Sequence, residues 1–373
     1  MKKLAQWLSH YRIKDVVMES TGIYWKPIWN LMEDAFHLVL ANAKTIKNMP
    51  GRKTDRLDSE WLAEIYRCGL VTASFVPRRE IRELREYTRS VMKLRQNIST
   101  YKNRIHKVLE SSNIKLSVAL TNLFGVSGRA LLQSIIDGEV LTESQVRQMV
   151  KFQLKKKTAV IVQALNGSIT PSQRQLLDHY MSIIHFFERQ VEAIAQHRDQ
   201  LITDYFSEER DLLLSIYGVS QDAAAVILAE IGNKMQVFGS SAKLSSWAGL
   251  CPGNHESAGK KRDSHIGKGN KYLKSILVQS AWVAVKKKQS RMRSYYQRLK
   301  TSQGSKRAIV ATAHLLLRII YQMLSKKEPY LELGQDYLNR EIRVIRKWIK
   351  KLEQKGFSLQ AQTEESKALI KKN

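Results

Sequence analysis

Apolar positions recur along this chain at more than one period, and the pattern changes near residue 80. From Glu80 onward, Leu84, Tyr87, Val91, Leu94, Ile98, Tyr101, Ile105 and Val108 alternate spacings of three and four over more than three heptads. That spacing predicts a long helix in a coiled coil. A second run, Leu176, Tyr180, Ile183, Phe187, Ile194 and Leu201, keeps a similar stripe, with polar Gln190 and His197 at two seam positions. Both stripes read as packing surfaces, and the two helices can pair within one chain or between subunits.

Before residue 80 the elements are short and alternate in kind. Leu4 to Tyr11 reads as a helix, and Asp15 to Met18 as a buried strand ending on Glu19. A helix with Trp25, Ile28, Trp29 and Met32 on one face follows, then a second buried strand from Phe36 to Ala41. Alternation of this kind predicts a parallel α/β sheet, whose ligands sit at the carboxyl ends of strands, where Glu19 falls. The next helix starts near Thr54 and stops at Gly69, with Asp55 and Asp58 on one face of its first turn and Leu62 and Ile65 continuing that face. Three carboxylates meeting there would suit magnesium, a hard cation with oxygen ligands, and so phosphodiester chemistry. The same aspartates would equally complement the helix dipole, with Glu19 a solvated acid.

The segments between and beyond the long helices read as helical. Gly125, Gly128 and Gly138 punctuate shorter helices. Leu212 to Gly232 reads as helix, Gly218-Val219 turn, helix, the pattern of a helix-hairpin-helix whose turn amides grip a phosphate without reading bases. Any two helices packed about a glycine turn share that pattern. A strongly apolar helix begins at a Ser305 cap and turns Ile309, Thr312, Leu316, Ile319 and Met323 to a core. From Asn339 a basic helix with Ile342, Ile345, Trp348, Ile349 and Leu352 on a narrow face leads into a polar tail.

One stretch, Phe238 to Trp282, stands apart. An amphipathic segment with Leu244, Trp247 and Ala248 breaks at Gly249, Pro252 and Gly253, and a small loop then carries Ser257 between Glu256 and Ala258–Gly259. A cationic run follows (Lys260, Lys261, Arg262, Lys268, Lys271), interrupted by Gly267 and Gly269. Asn270 can cap the next helix, in which Tyr272, Leu273, Ile276, Leu277 and Ala281 keep helical spacing. A serine on a flexible loop among cations and beside a helix N-terminus suits attack on, or binding of, a phosphate. A solvated basic loop would have the same composition.

Charge narrows the classes. The 373 residues carry a formal charge of +28 and a pI near 10.0, spread through every region and mixed with apolar periodicity. That points to a folded nucleic-acid binder rather than a basic tail. No apolar run approaches the ~18 residues of a membrane span. The N-terminus lacks the apolar core of a signal peptide. Cys68 and Cys251 lie far apart, with no disulfide framework or zinc site indicated, so a reducing cytoplasm fits.

The segments ESTGIYW, KTDRLDSEWLAEI, LFGVSGRALL and SSWAGLCPGNHESAG…HIGKGNKYLKSILVQSA, in this order, resemble the DEDD transposases of bacterial insertion sequences, relatives of the Piv-type DNA invertases. The resemblance runs to about Tyr330. It implies an α/β plus mostly α chain: a RuvC-like, ribonuclease-H-type domain over 1–78, a helical and coiled-coil region over 79–205, a transposase domain over 206–330 and a basic tail over 331–373. By motif, Glu19 is the family's second acid, Asp55 and Asp58 its third and fourth, and Ser257 its nucleophile. A magnesium cofactor, DNA ends and targets, a structured non-coding RNA, and a dimer or tetramer in which a partner's acids complete the centre are all implied. His255, Glu256, His265 and Lys261 are neighbours able to activate the serine. Gly218, Lys260, Lys261, Arg262, Lys268 and Lys271 are the expected nucleic-acid contacts.

One departure bears on this expectation. The family's first aspartate sits on an opening strand in a segment like "GIDVSK", which this chain does not contain, and Asp15 opens the same strand that Glu19 closes. The sheet is therefore expected to lack its first strands, as in a truncated or internally started frame. The functions to weigh are a recombinase acting through Ser257, a nucleic-acid-binding remnant without a complete metal site, and a RuvC-like junction nuclease that needs no serine.

Overall fold

A computed structural model describes residues 2–20, 22–42, 55–71, 73–251, 255–257, 260–263, 266–267 and 269–334, with 348–349, 351–352 and 354. The side chains of 55–58, 255–257 and 260–263 lie outside the described set, as do Lys268, His265, Ile342 and Ile345. Chain contacts define two compact units, Met1–Arg82 and Glu83–Asn373.

In the first unit, α1 (Lys2–His10) leads into β1 (Asp15–Glu19), α2 (Trp25–Met32) and β2 (His37–Ala41). The strands pair in parallel from Asp15↔His37 to Glu19↔Ala41, the arrangement that an intervening crossover helix permits. Met32 is fully buried, and Trp25 and Trp29 meet edge-on at 5.9 Å. An antiparallel bridge from Ala73 to Ala41 extends the sheet by a single residue. Val16, Val17 and Met18 are half-buried rather than the fully buried run expected from sequence. With only two regular strands described, the sheet has too few neighbours to enclose them. Then α3 (Asp55–Arg67) packs on β1 through buried Ile65.

The second unit holds α4 (Arg79–Ser111, its first residues shared with the first unit) and α9 (Pro171–Tyr205), the two long helices. They pair within the chain and run antiparallel. Gln173 Nε2 donates to Ser111 Oγ at one end, Tyr101 lies 5.7 and 6.1 Å from Tyr180 and Phe187, and Tyr87 stacks on His197 at 6.3 Å. Tyr180, Phe187 and His197 of the expected stripe thus meet α4, while the buried residues of α9 are Leu177, Met181, Ile184, Arg198 and Ile202 beside it, and Leu176 is 44% exposed. The run LLDHYMSIIHFF is apolar over more than one face, so packing chose the face. Between the long helices lie α5 (Leu116–Ala119), α6 (Val126–Asp137), α7 (Glu143–Met149), a 3₁₀ turn at Phe152–Lys156 and α8 (Thr158–Leu165). They close a core around Ile105, Leu131, Ile161 and Ile184. Gly128, expected to punctuate, lies inside α6, where the Leu123 backbone leaves no room for a side chain.

The remaining helices form a bundle: α10 (Ser207–Leu214), α11 (Gln221–Ile231), α12 (Ser241–Trp247), α13 (Lys271–Ala284), α14 (Arg291–Gln303) and α15 (Ser305–Lys326). Every residue of α11 from Ala223 to Ile231 is buried. The N-cap of α15 is Gly304, not Ser305, which is its first residue. Contrary to expectation, α15 is long and apolar enough by composition to cross a membrane, with a window of mean hydropathy 1.5, half of it buried. It packs against α13 and α14, as a core helix does.

Candidate active site

The acids belong to the first unit and the serine stretch to the second. Glu19 is exposed at the carboxyl end of β1. At the opposite end, Asp15 accepts from Tyr66 Oη at 3.1 Å and contacts His37 Nδ1 at 2.6 Å. Those partners hold the Asp15 carboxyl below the usual carboxylate range, the hydrogen bond to His37 contributing most. Tyr66, near the end of α3, thus marks the start of β1. α3 packs on β1, and its first turn carries Asp55 and Asp58. Glu19, Asp55 and Asp58 would each offer oxygen donors, which fit a hard divalent ion. Among the described residues no group of three or more His, Cys, Asp or Glu is assembled for a metal, and the Asp55 and Asp58 side chains are not among them.

Ser257 does not lie in an open loop. It ends β3 (His255–Ser257), which pairs antiparallel with β4 (Lys260–Asp263). The charged sequence has little strand propensity, so the pairing was not legible from it. In register, Ser257 faces Lys260 and Glu256 faces Lys261, so Lys260 rather than Lys261 is the cation opposite the serine. A register shift separates His255 from Glu256.

The hairpin rises from a neck made of glycine. Gly249 has φ +71°, and a Cβ there would stand 2.7 Å from Gly267 O and 2.8 Å from Gly269 Cα. A Cβ on Gly269 would overlap the backbone of Ala248 and Gly249. Two chain segments can pass this closely only where neither carries a side chain.

Immediately beyond the neck, Asn270 caps α13 as its sequence predicted. Its Oδ1 accepts from the amides of Tyr272 and Leu273 at 3.0 and 3.1 Å. Its Nδ2 donates to Glu230 Oε2 at 2.6 Å. Glu230, fully buried at the end of α11, also accepts Arg89 Nε and Nη2 at 2.8 and 2.9 Å. Arg85 donates to the carbonyls of Ala229 and Glu230 at 2.9 and 3.0 Å. Burial lowers the Arg85 pKa, an effect Glu230 partly opposes. The Arg89 guanidinium lies 4.5 Å from the centre of the Tyr272 ring, with Lys271 Nζ 5.1 Å from the same ring. A buried charge must be paired, and this one is met by three side chains from two distant parts of the chain. The signal in sequence was an acid at the end of an apolar run, AAAVILAEIG.

Gly218, at φ +101°, presses against α13: a Cβ would meet Ala284 N and Ser280 O at 2.7 Å. Beside it, a cleft of about 330 Å³ is lined by Val219, Ser220, Ile276, Gln279 and Val283. Both cysteines are free.

Two family models match this arrangement, and both define a DNA-transposing class. A transposase model of DEDD type covers residues 1–114, and one described as "Transposase IS116/IS110/IS902 family" covers residues 210–297, the serine hairpin included. The chain belongs to the IS110-type DEDD transposases. It is 32% identical over 146 residues to the "Transposase for insertion sequence element IS1111A" of Coxiella burnetii (strain RSA 493 / Nine Mile phase I). That match spans 36% of this chain and 40% of the relative's length.

Proposed function

We propose that this protein moves an insertion sequence by cutting and rejoining DNA, with Ser257 as nucleophile. What carries the reading is the serine's position inside the matched segment, on a hairpin opposite Lys260 and at a neck fixed to a buried acid. In the proposed step the Ser257 Oγ–P bond forms as the bond from phosphorus to the leaving strand's oxygen breaks. The hydroxyl proton passes to a base among His255, Glu256, Lys260, Lys261 and His265, and the leaving oxygen takes up a proton. Rejoining runs the same exchange backwards, freeing the serine. Lys260, Lys261, Arg262, Lys268 and Lys271 balance phosphate charge, and the Gly218 turn meets the backbone beside them.

Glu19, Asp55 and Asp58 would hold magnesium. Bound there, the ion supplies Lewis-acid polarisation of a phosphate oxygen. The same reading includes a second copy of the chain contributing acids, a structured RNA partner, a RuvC-like first domain, a helix-hairpin-helix at Gly218 and a cytoplasmic setting on the nucleoid. The test is incubation with element-end DNA and the element's RNA, scored for a protein–DNA adduct. Ser257→Ala should abolish the adduct, and an adduct of undiminished yield in that variant refutes the serine.

A second reading is favoured by the charge of +28, spread through every region. Under it the protein binds nucleic acid without cutting. Binding would then survive magnesium chelation and fall steeply with salt. Magnesium-dependent strand cleavage by the purified chain would remove this reading, and cleavage that ignores Ser257→Ala would indicate a junction nuclease instead.

A further inference from the structure

The connection between α7 and α8 carries an exposed aromatic residue in a backbone conformation that costs free energy. Phe152 has φ +51°, the left-handed region that β-carbon-bearing residues avoid, and its side chain is 87% exposed. Its ring stacks on no other aromatic ring among the described residues. Folding alone explains neither feature. A glycine or asparagine would relieve the backbone, and any polar residue would suit the exposure. Such strained backbone recurs at ligand-binding and active sites.

The surroundings say what would meet that ring. Lys151, Lys155, Lys156 and Lys157 are all exposed around it and enter no ion pair among the described residues. The Lys151 amide donates to Ser127 Oγ at 3.1 Å, which ties this turn to the start of α6. There Val126 is 69% exposed, and Phe124, two residues before it, carries Lys102 Nζ 5.0 Å over its ring with His106 edge-on at 5.5 Å. At Phe152 an exposed ring thus stands among cations that enter no ion pair among the described residues, a flat apolar face beside positive charge. A base-paired duplex offers phosphates there but no free base face. An unpaired strand offers both, since stacking on an aromatic ring is sequence-tolerant and the lysines meet the flanking phosphates.

We propose that Phe152 is a stacking platform for an unpaired nucleobase, with Lys151, Lys155, Lys156 and Lys157 holding the adjoining phosphates of a single-stranded nucleic acid. The site lies outside the residues assigned to strand transfer and stands or fails separately from Ser257.

The probes are short labelled oligo(U) and oligo(dT), bound to the full chain in the presence of excess unlabelled duplex. Phe152→Gly should weaken single-strand binding roughly 5- to 150-fold, the range for one lost base–aromatic stack. Its melting temperature should rise, because glycine adopts the left-handed backbone freely. Loss of affinity for oligo(U), oligo(dT) or both supports the site and shows which strand it takes. Phe152→Tyr should retain binding, whereas Phe152→Leu, equally apolar but without a ring, should not. Irradiation of a 5-iodouridine oligonucleotide should place its crosslink on Phe152. Unchanged single-strand affinity in Phe152→Gly with no crosslink there overturns the proposal. So does an equal loss of duplex binding, or displacement by polyglutamate as effective as by oligo(U), which would mark a surface for acidic protein.

Discussion

Arg89 and Glu230 meet as a two-pronged ion pair, 2.8 and 2.9 Å between guanidinium nitrogens and carboxylate oxygens, although 141 residues separate them in sequence. The carboxylate is wholly buried while Arg89 is 40% exposed, so the two ends of the pair respond differently to removal. Glu230→Ala would leave Arg85 and Asn270 facing a void, and breaking a buried pair from one side costs about 3–5 kcal/mol. Arg89→Ala should cost less, because Arg85 and Asn270 still serve the carboxylate. Thermal unfolding followed by circular dichroism would rank them. A Glu230→Ala protein as stable as the parent would mean the network does not anchor the hairpin.

The neck makes a sharper distinction. Gly249→Ala and Gly269→Ala each force a β-carbon into opposing backbone at a positive φ. Both should lower strand transfer by about 100-fold through displacement of the hairpin. Gly267→Ala is the internal comparison, since its β-carbon would meet nothing closer than Gly249 Cα at 3.9 Å. Transfer assays on the three proteins, with far-UV spectra to confirm folding, should show two inactive and one near-normal. Three equal activities would separate the neck from the chemistry.

Acid should loosen the pairing of α9 with α11. Burial pushes the Asp222 carboxyl up, but hydrogen bonds from Arg95 and Arg198 at 2.7 and 2.6 Å outweigh it, so its pKa lies below the usual carboxylate range. A depressed folded-state pKa contributes stability that is complete above the unfolded value, about 4, and is lost as pH falls through the lower folded value. Denaturant midpoints measured from neutral pH to pH about 2 should decline in that acid range. In Asp222→Asn the decline should be shallower, and an identical slope in both proteins would remove Asp222 as its source.

The seam between the long helices can be checked by truncation. Ile184→Ala opens a cavity at a fully buried site and should cost about 2–5 kcal/mol. Leu176→Ala acts at a position 44% exposed and should cost under about 1 kcal/mol. Urea midpoints decide it, and the reverse order would restore the face first expected from the spacing.

Much of this molecule was legible in the residues alone because its elements announce themselves locally. A 3.5-residue spacing kept from Leu84 to Val108 makes a long helix whatever it packs on, and β1, β2 and α3 followed from alternating short apolar runs. Asn270 was identifiable as a cap because its bonds reach only two and three residues ahead. What sequence could not supply was the partner of each face. In α9 the expected stripe supplies Tyr180 and Phe187 to the helix pair, but the deepest burial falls on Leu177, Met181 and Ile184 beside it, because several faces are apolar and only packing selects among them. The hairpin at Ser257 has no strand-forming side chains, so its register with Lys260 was not legible locally. Glu230 was visible only as an anomaly in an apolar helix, and the need for charge compensation in a dry interior is non-local: it recruits Arg89 and Asn270 from wherever the fold delivers them.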